Sequence, residues 1–214
     1  IKSGVPIKDP NYSTHQDYNA KGICPSALGV KDEQPSAFSP RTKMFYVPLN
    51  HVCMTYEPVE SKYVAGQPWV GSTLTMFAGP DGVMGGFMAW NGLTGKTAWY
   101  NKEKFSAWGG ALVTASDLVF YGTLDRWVKA LDAKTGKELW RFQVGSGVVG
   151  NTITYGHKGK QYVGVLSGIG GWAGVAMNLG LTNETDGLGA AGGYKELTKY
   201  NAAPGGGAMN VFSL

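Results

Sequence analysis

Apolar residues in this chain come in short bursts, broken by Gly, Pro, Asn and Asp, and few hold the spacing of an amphipathic helix. Strands are therefore predicted. One covers Lys43–Asn50, a pair covers Gly86–Trp90 and Ala98–Tyr100, and four follow at Ala111–Thr114, Asp117–Gly122, Trp127–Asp132 and Glu138–Val144. A further pair, Thr152–Tyr155 and Gln161–Leu166, meets at a turn over Gly156–Gly159, and Ala208–Leu214 returns to the strand pattern. Residues 1–38 read as loop with few strands. Tyr56–Pro80 reads as an excursion too long for a hairpin loop, of a length that usually carries function in a compact domain. Beyond Leu166 the pattern dissolves into Gly-rich sequence, with one short helix expected at Lys195–Lys199.

The strands also repeat. Ala130-Leu-Asp-Ala-Lys-Thr-Gly-Lys-Glu-Leu-Trp140 has a weaker copy forty-one residues upstream, Ala89-Trp-Asn-Gly-Leu-Thr-Gly-Lys-Thr-Ala-Trp99, sharing Ala, Thr-Gly-Lys and the final Trp. A period near 40 with four short strands per unit indicates a β-propeller blade. In the turn, Asp and Thr side chains can bond backbone, and Gly takes a left-handed conformation without steric cost. The closing Trp is expected between its own sheet and the next, where an indole buries roughly 200 Å².

Composition agrees with a globular all-β protein: 43% hydrophobic, 16% charged, and 33 glycines with 10 prolines to supply turns. The net charge of +4 comes from scattered lysines without a basic run, which argues against nucleic-acid binding. No run of 18 apolar residues is present to span a membrane. The chain opens at Ile1 without a starting Met or a recognisable signal peptide, so it is expected to be either processed or a piece of something longer. The repeat favours the second, because about three blades cannot close a ring and would leave two sheet faces uncovered.

Cys24 and Cys53 are the only cysteines. A disulfide, two free thiols and a metal site with His15 or His51 are all open from spacing, although zinc lacks its usual closely paired ligands. A disulfide would place the protein in an oxidising compartment such as the periplasm. Trp108 and Trp172 stand outside the turn motif, in Phe105-Ser-Ala-Trp-Gly-Gly-Ala111 and Ser167-Gly-Ile-Gly-Gly-Trp-Ala-Gly174. Glycines around an aromatic let a flat ligand approach backbone amides; the competing reading is a Trp packed in a glycine-lined core. Asp32 reads by default as a solvated turn residue. No nucleophile–base set and no catalytic metal cluster stands out.

Several segments resemble the C-terminal third of a pyrroloquinoline quinone (PQQ) dependent methanol dehydrogenase. They are Cys24-Pro-Ser-Ala-Leu-Gly-Val-Lys-Asp-Glu-Gln-Pro35, Asn50-His-Val-Cys-Met54, Ala65-Gly-Gln-Pro-Trp-Val-Gly71, Phe105-Ser-Ala-Trp-Gly-Gly110, Val119-Phe-Tyr-Gly-Thr-Leu124 and Ser167-Gly-Ile-Gly-Gly-Trp172. The segment around Asp32 resembles the lanthanide-dependent branch, the calcium-dependent branch carrying Asn there.

The resemblance implies an eight-bladed periplasmic propeller, of which residues 1–214 would be a C-terminal fragment of about three blades. PQQ would sit at its axis beside a lanthanide ion, or Ca2+ in the alternative. By motif, Trp108, Gly171 and Trp172 match PQQ contacts, Asp32 matches a side chain reaching the quinone, and Cys24–Cys53 matches a structural disulfide. The implied reaction oxidises methanol or another primary alcohol and passes electrons to a cytochrome c, the full-length protein being a homodimer. Metal ligands, catalytic Asp and cofactor-clamping Arg would all lie upstream of Ile1, leaving no catalytic residue in this chain. Two alternatives are a quinoprotein dehydrogenase for ethanol, another alcohol or a sugar, and a non-enzymatic scaffold of the same propeller type.

Overall fold

The structure, a computed structural model, describes residues 3–66, 71–171, 173–174 and 206–213. Along the chain the strands are β1 (Ala20–Ile23), β2 (Ala37–Ser39), β3 (Met44–Asn50), β4 (Val52–Pro58), β5 (Ser72–Ala78), β6 (Gly85–Asn91) and β7 (Lys96–Glu103). There follow β8 (Leu112–Val113), β9 (Leu118–Gly122), β10 (Trp127–Asp132), β11 (Glu138–Gln143), β12 (Thr152–His157), β13 (Lys160–Ser167) and β14 (Ala208–Ser213). All pair antiparallel, in four sheets: β2-β3-β6-β7, β8-β9-β10-β11, β12-β13-β14 and the separate β1-β4-β5.

The first two are four-stranded blades and the third supplies three strands of another, as the repeat implies. Each faces its neighbour across an apolar layer. Tyr46, Phe87 and Ala89 of the first blade meet Val119, Tyr121, Leu131 and Ala133, with the Phe87 and Tyr121 rings stacked at 4.0 Å. On the other side of the second blade, Phe120, Val128 and Ala130 meet Val144, Val148, Val163 and Val165. Successive residues of β9 point to opposite faces, so a strand buried on both sides reads as the unbroken apolar run Leu-Val-Phe-Tyr.

The repeated turns act as the motif requires. Asp132 accepts hydrogen bonds from the Lys134 and Thr135 amides at 3.0 and 2.8 Å and from the Thr135 hydroxyl at 2.8 Å. Asn91 does the same for the Leu93 and Thr94 amides. Trp99, closing the first turn, reaches the second: its Nε1 donates to the Ala133 carbonyl at 3.0 Å, and its ring lies over Gly136. Trp140, closing the second turn, packs edge-on against Phe212 of β14 yet is 40% exposed. Trp99 is therefore an anchored blade-to-blade tie, and Trp140 a partly covered one.

Two loop expectations need correction. Tyr56–Pro80 is not all loop, since β4 ends and β5 lies within it, and the two pair as a hairpin joined by the long connector 59–71. Within residues 1–38, β1 adds to the outer side of β4 and β2 opens the first blade. The resulting small sheet is closed by a disulfide between Cys24 and Cys53 and has its own core of Val52, Met54 and Met76. The hairpin turn predicted at Gly156–Gly159 is tighter, with left-handed Lys158 and Gly159 between β12 and β13. The helix expected at Lys195–Lys199 lies outside the described residues.

Candidate functional site

Of the edge strands of the three blades, β8 neighbours both β2 and β12. The segment leading into β2, and the residues just before β8 and just after β13, gather at one end of the sheets. They carry Asp32, Trp108 and Gly171. A shared apolar cluster joins them: Trp108, Phe105, Leu124, Ile169 and Ala173 pack together, with Leu28 and Val149 against them. Leu28 belongs to the Asp32 segment and Ile169 to the Gly171 segment, so three stretches far apart in sequence converge on one apolar cluster.

Polar bonds fix the same arrangement. Gln34 is 2% exposed, and its Oε1 accepts from the Asp32 amide at 3.0 Å. Its Nε2 donates to the Ala107 carbonyl at 3.0 Å and to Asn50 Oδ1 at 3.3 Å. Lys31 Nζ donates to the carbonyls of Asp32 and Gln34 at 3.0 and 2.7 Å, closing the turn. The Ala111 amide donates to the Pro35 carbonyl at 2.9 Å. At Gly110 a Cβ would strike Pro35 and Asn151, so glycine is what lets the two segments lie this close.

Each residue singled out from the sequence has a different standing. Asp32 is exposed. Gly171 is exposed and left-handed (φ +53), and a Cβ there, as at Gly170, would meet no atom of the described residues within 4 Å. Trp108 is 3% exposed, enclosed by its own cluster. Its assignment to a ligand therefore rests on the resemblance and not on exposure. Trp172 lies outside the described residues, as does the stretch 67–70. Sequence reasoning passed over Gln34 and Asn50. The Asn50 Nδ2 is buried and without a hydrogen-bond partner among the described residues, beside the Gln34 bridge. The one legible signal was that Gln34 sits two residues from Asp32 in the same motif.

Two ionisable clusters lie elsewhere. Glu103 accepts from the Tyr121 hydroxyl at 2.5 Å and from Lys129 Nζ at 2.7 Å, inside the seam between the first two blades. Burial, then the Glu103 charge, raises the Tyr121 hydroxyl well above its ordinary pKa. Asp81 meets His51 Nδ1 at 2.7 Å and Lys102 Nζ at 3.7 Å, tying the small sheet to the first blade. Burial, then Asp81, pushes the neighbouring Tyr100 hydroxyl up to about 12. No group of three or more His, Cys, Asp or Glu able to hold a metal occurs among the described residues.

Blade seams, tryptophan turns and a loop-lined axial end define a β-propeller of the quinoprotein dehydrogenase kind. The family model "glucose/ethanol/alcohol dehydrogenase, beta-propeller domain" matches residues 88–163. Over those residues the chain is similar to this PQQ-type propeller family. The chain is 58% identical over 216 residues to the lanthanide-dependent methanol dehydrogenase of Methylorubrum extorquens, covering 99% of this chain and 36% of that protein. Against the methanol dehydrogenase [cytochrome c] subunit 1 of the same organism, identity is 45% over 220 residues, covering 35% of it. A solved europium-containing methanol dehydrogenase matches 98% of this chain and 37% of its own at 47% identity, with a TM-score of 0.88. The chain thus spans about a third of the length of the relatives it matches.

Proposed function

We propose that this chain forms one wall of the PQQ site in a lanthanide-dependent methanol dehydrogenase. The observation that carries the reading is the convergence of the Asp32, Trp108 and Gly171 segments on one apolar cluster at the axial end of three blades. The residues there fit a flat ligand edged with carbonyl and carboxylate oxygens. Among the described residues, Asn50 offers a buried amide donor that lacks a partner, and Gly170 and Gly171 have no atom within 4 Å of an added Cβ. When bound, PQQ would accept the two electrons removed from the alcohol.

This chain's own contributions are placement and exclusion of water. The Trp108 cluster makes a dry floor beneath the loops. Gly171 and Trp172 would line the ligand's face, and Asp32 would meet its polar edge. A carboxylate accepts hydrogen bonds and donates one only when protonated, so Asp32 would receive a proton-bearing group where Asn could offer one. The metal, a lanthanide ion with Ca2+ as the alternative, and its ligands would belong to the upstream part of the protein. The higher identity to the lanthanide-dependent relative than to its cytochrome c-linked counterpart from the same organism supports the first choice.

The rest of the propeller would cover two apolar faces. Phe38, Phe45 and Trp90 stand exposed on the outer face of the first blade, and Ile153, Leu166, Met209 and Val211 on that of the third. Single exposed apolar residues are ordinary, but aligned sheet faces of this kind mark missing neighbours. Residues 1–214 would then be the C-terminal part of one propeller domain, the full-length protein acting on a primary alcohol with a cytochrome c as acceptor. The disulfide favours an oxidising compartment, the periplasm, and a homodimer is the assembly we expect.

The test is purification of the full-length protein, with measurement of PQQ content and of methanol-dependent dye reduction after loading with La3+ or Ca2+. Asp32→Asn should weaken PQQ binding and turnover. Unchanged values for that variant would remove Asp32 from the site, and a full-length protein that binds no PQQ would remove the reading altogether. A substrate series of methanol, ethanol, longer alcohols and glucose decides between this enzyme and another quinoprotein dehydrogenase.

A further inference from the structure

Gln34 is a fully buried polar side chain whose three hydrogen bonds all go to segments of the proposed site. Its carbonyl oxygen takes the Asp32 amide, and its amide nitrogen spans to the Ala107 carbonyl, next to Trp108, and to Asn50. The amide can face only one way, because a flipped group would set donor against the Asp32 N–H and oxygen against the Ala107 carbonyl. Both hydrogens and one acceptor site are used, so the side chain is a fixed strut between loops 73 residues apart in sequence. Lys31 clamps the same turn from outside, and Pro35 continues the contact to Ala111.

We propose that Gln34 is a positioning residue that sets Asp32 in register with the Trp108 segment, a reading that rests on Asp32 facing the cofactor. Gln34 does not touch the ligand. It fixes the backbone from which the Asp32 carboxylate projects, so that this exposed side chain meets its target without a search.

The experiment is a double-mutant cycle in the full-length protein with Gln34→Met, which keeps the volume but removes all three bonds, and Asp32→Ala. The readouts are PQQ titration of the apoenzyme, kcat and KM with methanol, and the visible spectrum of the bound cofactor. Each single variant should lower kcat/KM by about 100-fold, the scale of an ångström-sized misplacement, and weaken PQQ binding. The double variant should be no worse than Asp32→Ala alone, because a strut for an absent carboxylate has nothing to position. Losses that multiply would overturn the proposal while leaving Asp32 in the site. An Asp32→Ala protein that binds PQQ and turns over normally would overturn the reading of Asp32 beneath it.

Gln34→Glu is the second variant should Gln34→Met fail to fold. A protonated Glu can donate to Ala107 and accept from Asp32 as Gln does, and an ionised one cannot donate. Its activity relative to the native protein should therefore rise as pH falls, and the Asp32→Ala background should abolish that rise. A flat ratio across pH would count against the proposal.

Discussion

Gly136 is where the blade-to-blade tie can be broken with one methyl group. It sits at φ +71 in the second Thr-Gly-Lys turn, and a Cβ built there would come within 2.6 Å of the Trp99 ring. Gly136→Ala faces two costs. The left-handed conformation costs an alanine about 1–2 kcal/mol. The methyl must also push the indole aside, adding ~1–3 kcal/mol of crowding and ~1 kcal/mol for the weakened bond from Trp99 Nε1 to the Ala133 carbonyl. The expected destabilisation is about 3–6 kcal/mol, far above the usual surface substitution. Gly159→Ala is the control, because Gly159 has a similar φ of +77 and nothing within 4 Å of its would-be Cβ. It should lose only the conformational part. Equilibrium guanidinium unfolding of the full-length protein reads both, provided the slope is unchanged so that midpoints compare directly. If Gly136→Ala costs no more than Gly159→Ala, the Trp99 indole is not seated on this turn and the account of the seam fails.

Gly95 occupies in the first turn the place of Gly136 in the second, at φ +65 with open space around it. If a preceding blade covers that turn, Gly95→Ala in the full-length protein should cost as much as Gly136→Ala, and a cost equal to that of Gly159→Ala would show the turn uncovered. The 214-residue chain expressed alone should aggregate and bind no PQQ, an expectation that a soluble monomer with a cooperative melt would contradict. Replacing Cys24 and Cys53 with Ser should cost about 3–4 kcal/mol, the loop-entropy value for a separation of 29 residues, read as a lower guanidinium midpoint. On the alkaline side, raised Tyr100 and Tyr121 pKa values mean stability that is whole below the ordinary tyrosine pKa of ~10 and is lost as pH rises through the folded values. Absorbance at ~295 nm should show Tyr100 ionising near about 12, with Tyr121 silent until unfolding. Tyr121 ionising before the protein unfolds would contradict its burial against Glu103.

The blades were legible because their grammar is local. The four strands read at Ala111–Val144 appear within a residue or two as β8 to β11, since short turns, one of them carrying the Thr135-Gly136 pair, mark their ends. The β4–β5 hairpin escaped the same grammar. Its ends are joined by a long connector, and its burial comes from the disulfide-linked sheet's own small core, which no short-range pattern announces. Trp140 shows a second limit. Motif and spacing make it the twin of Trp99, but what it rests on is set by the next turn along the ring, not by its own residues.

The site was legible only through resemblance, and the reason is physical. Asp32, Trp108 and Gly171 share no spacing, and what joins them is the packing of Leu28 and Ile169 into the apolar cluster of Trp108 together with the Gln34 strut. A residue that contacts a ligand and one that holds the contacting residue look alike in sequence. Burial is the guide to the difference: Asp32 and Gly171 are exposed while Gln34 and Trp108 are 2% and 3% exposed, which on the proposed reading makes Gln34 a support and leaves Trp108, a ligand contact by resemblance, to be assigned by experiment. Changing the support should therefore act through the exposed pair, with effects that do not multiply. The same test applied to Trp108 and Gly171 would show whether the indole belongs to the contact set or to its support.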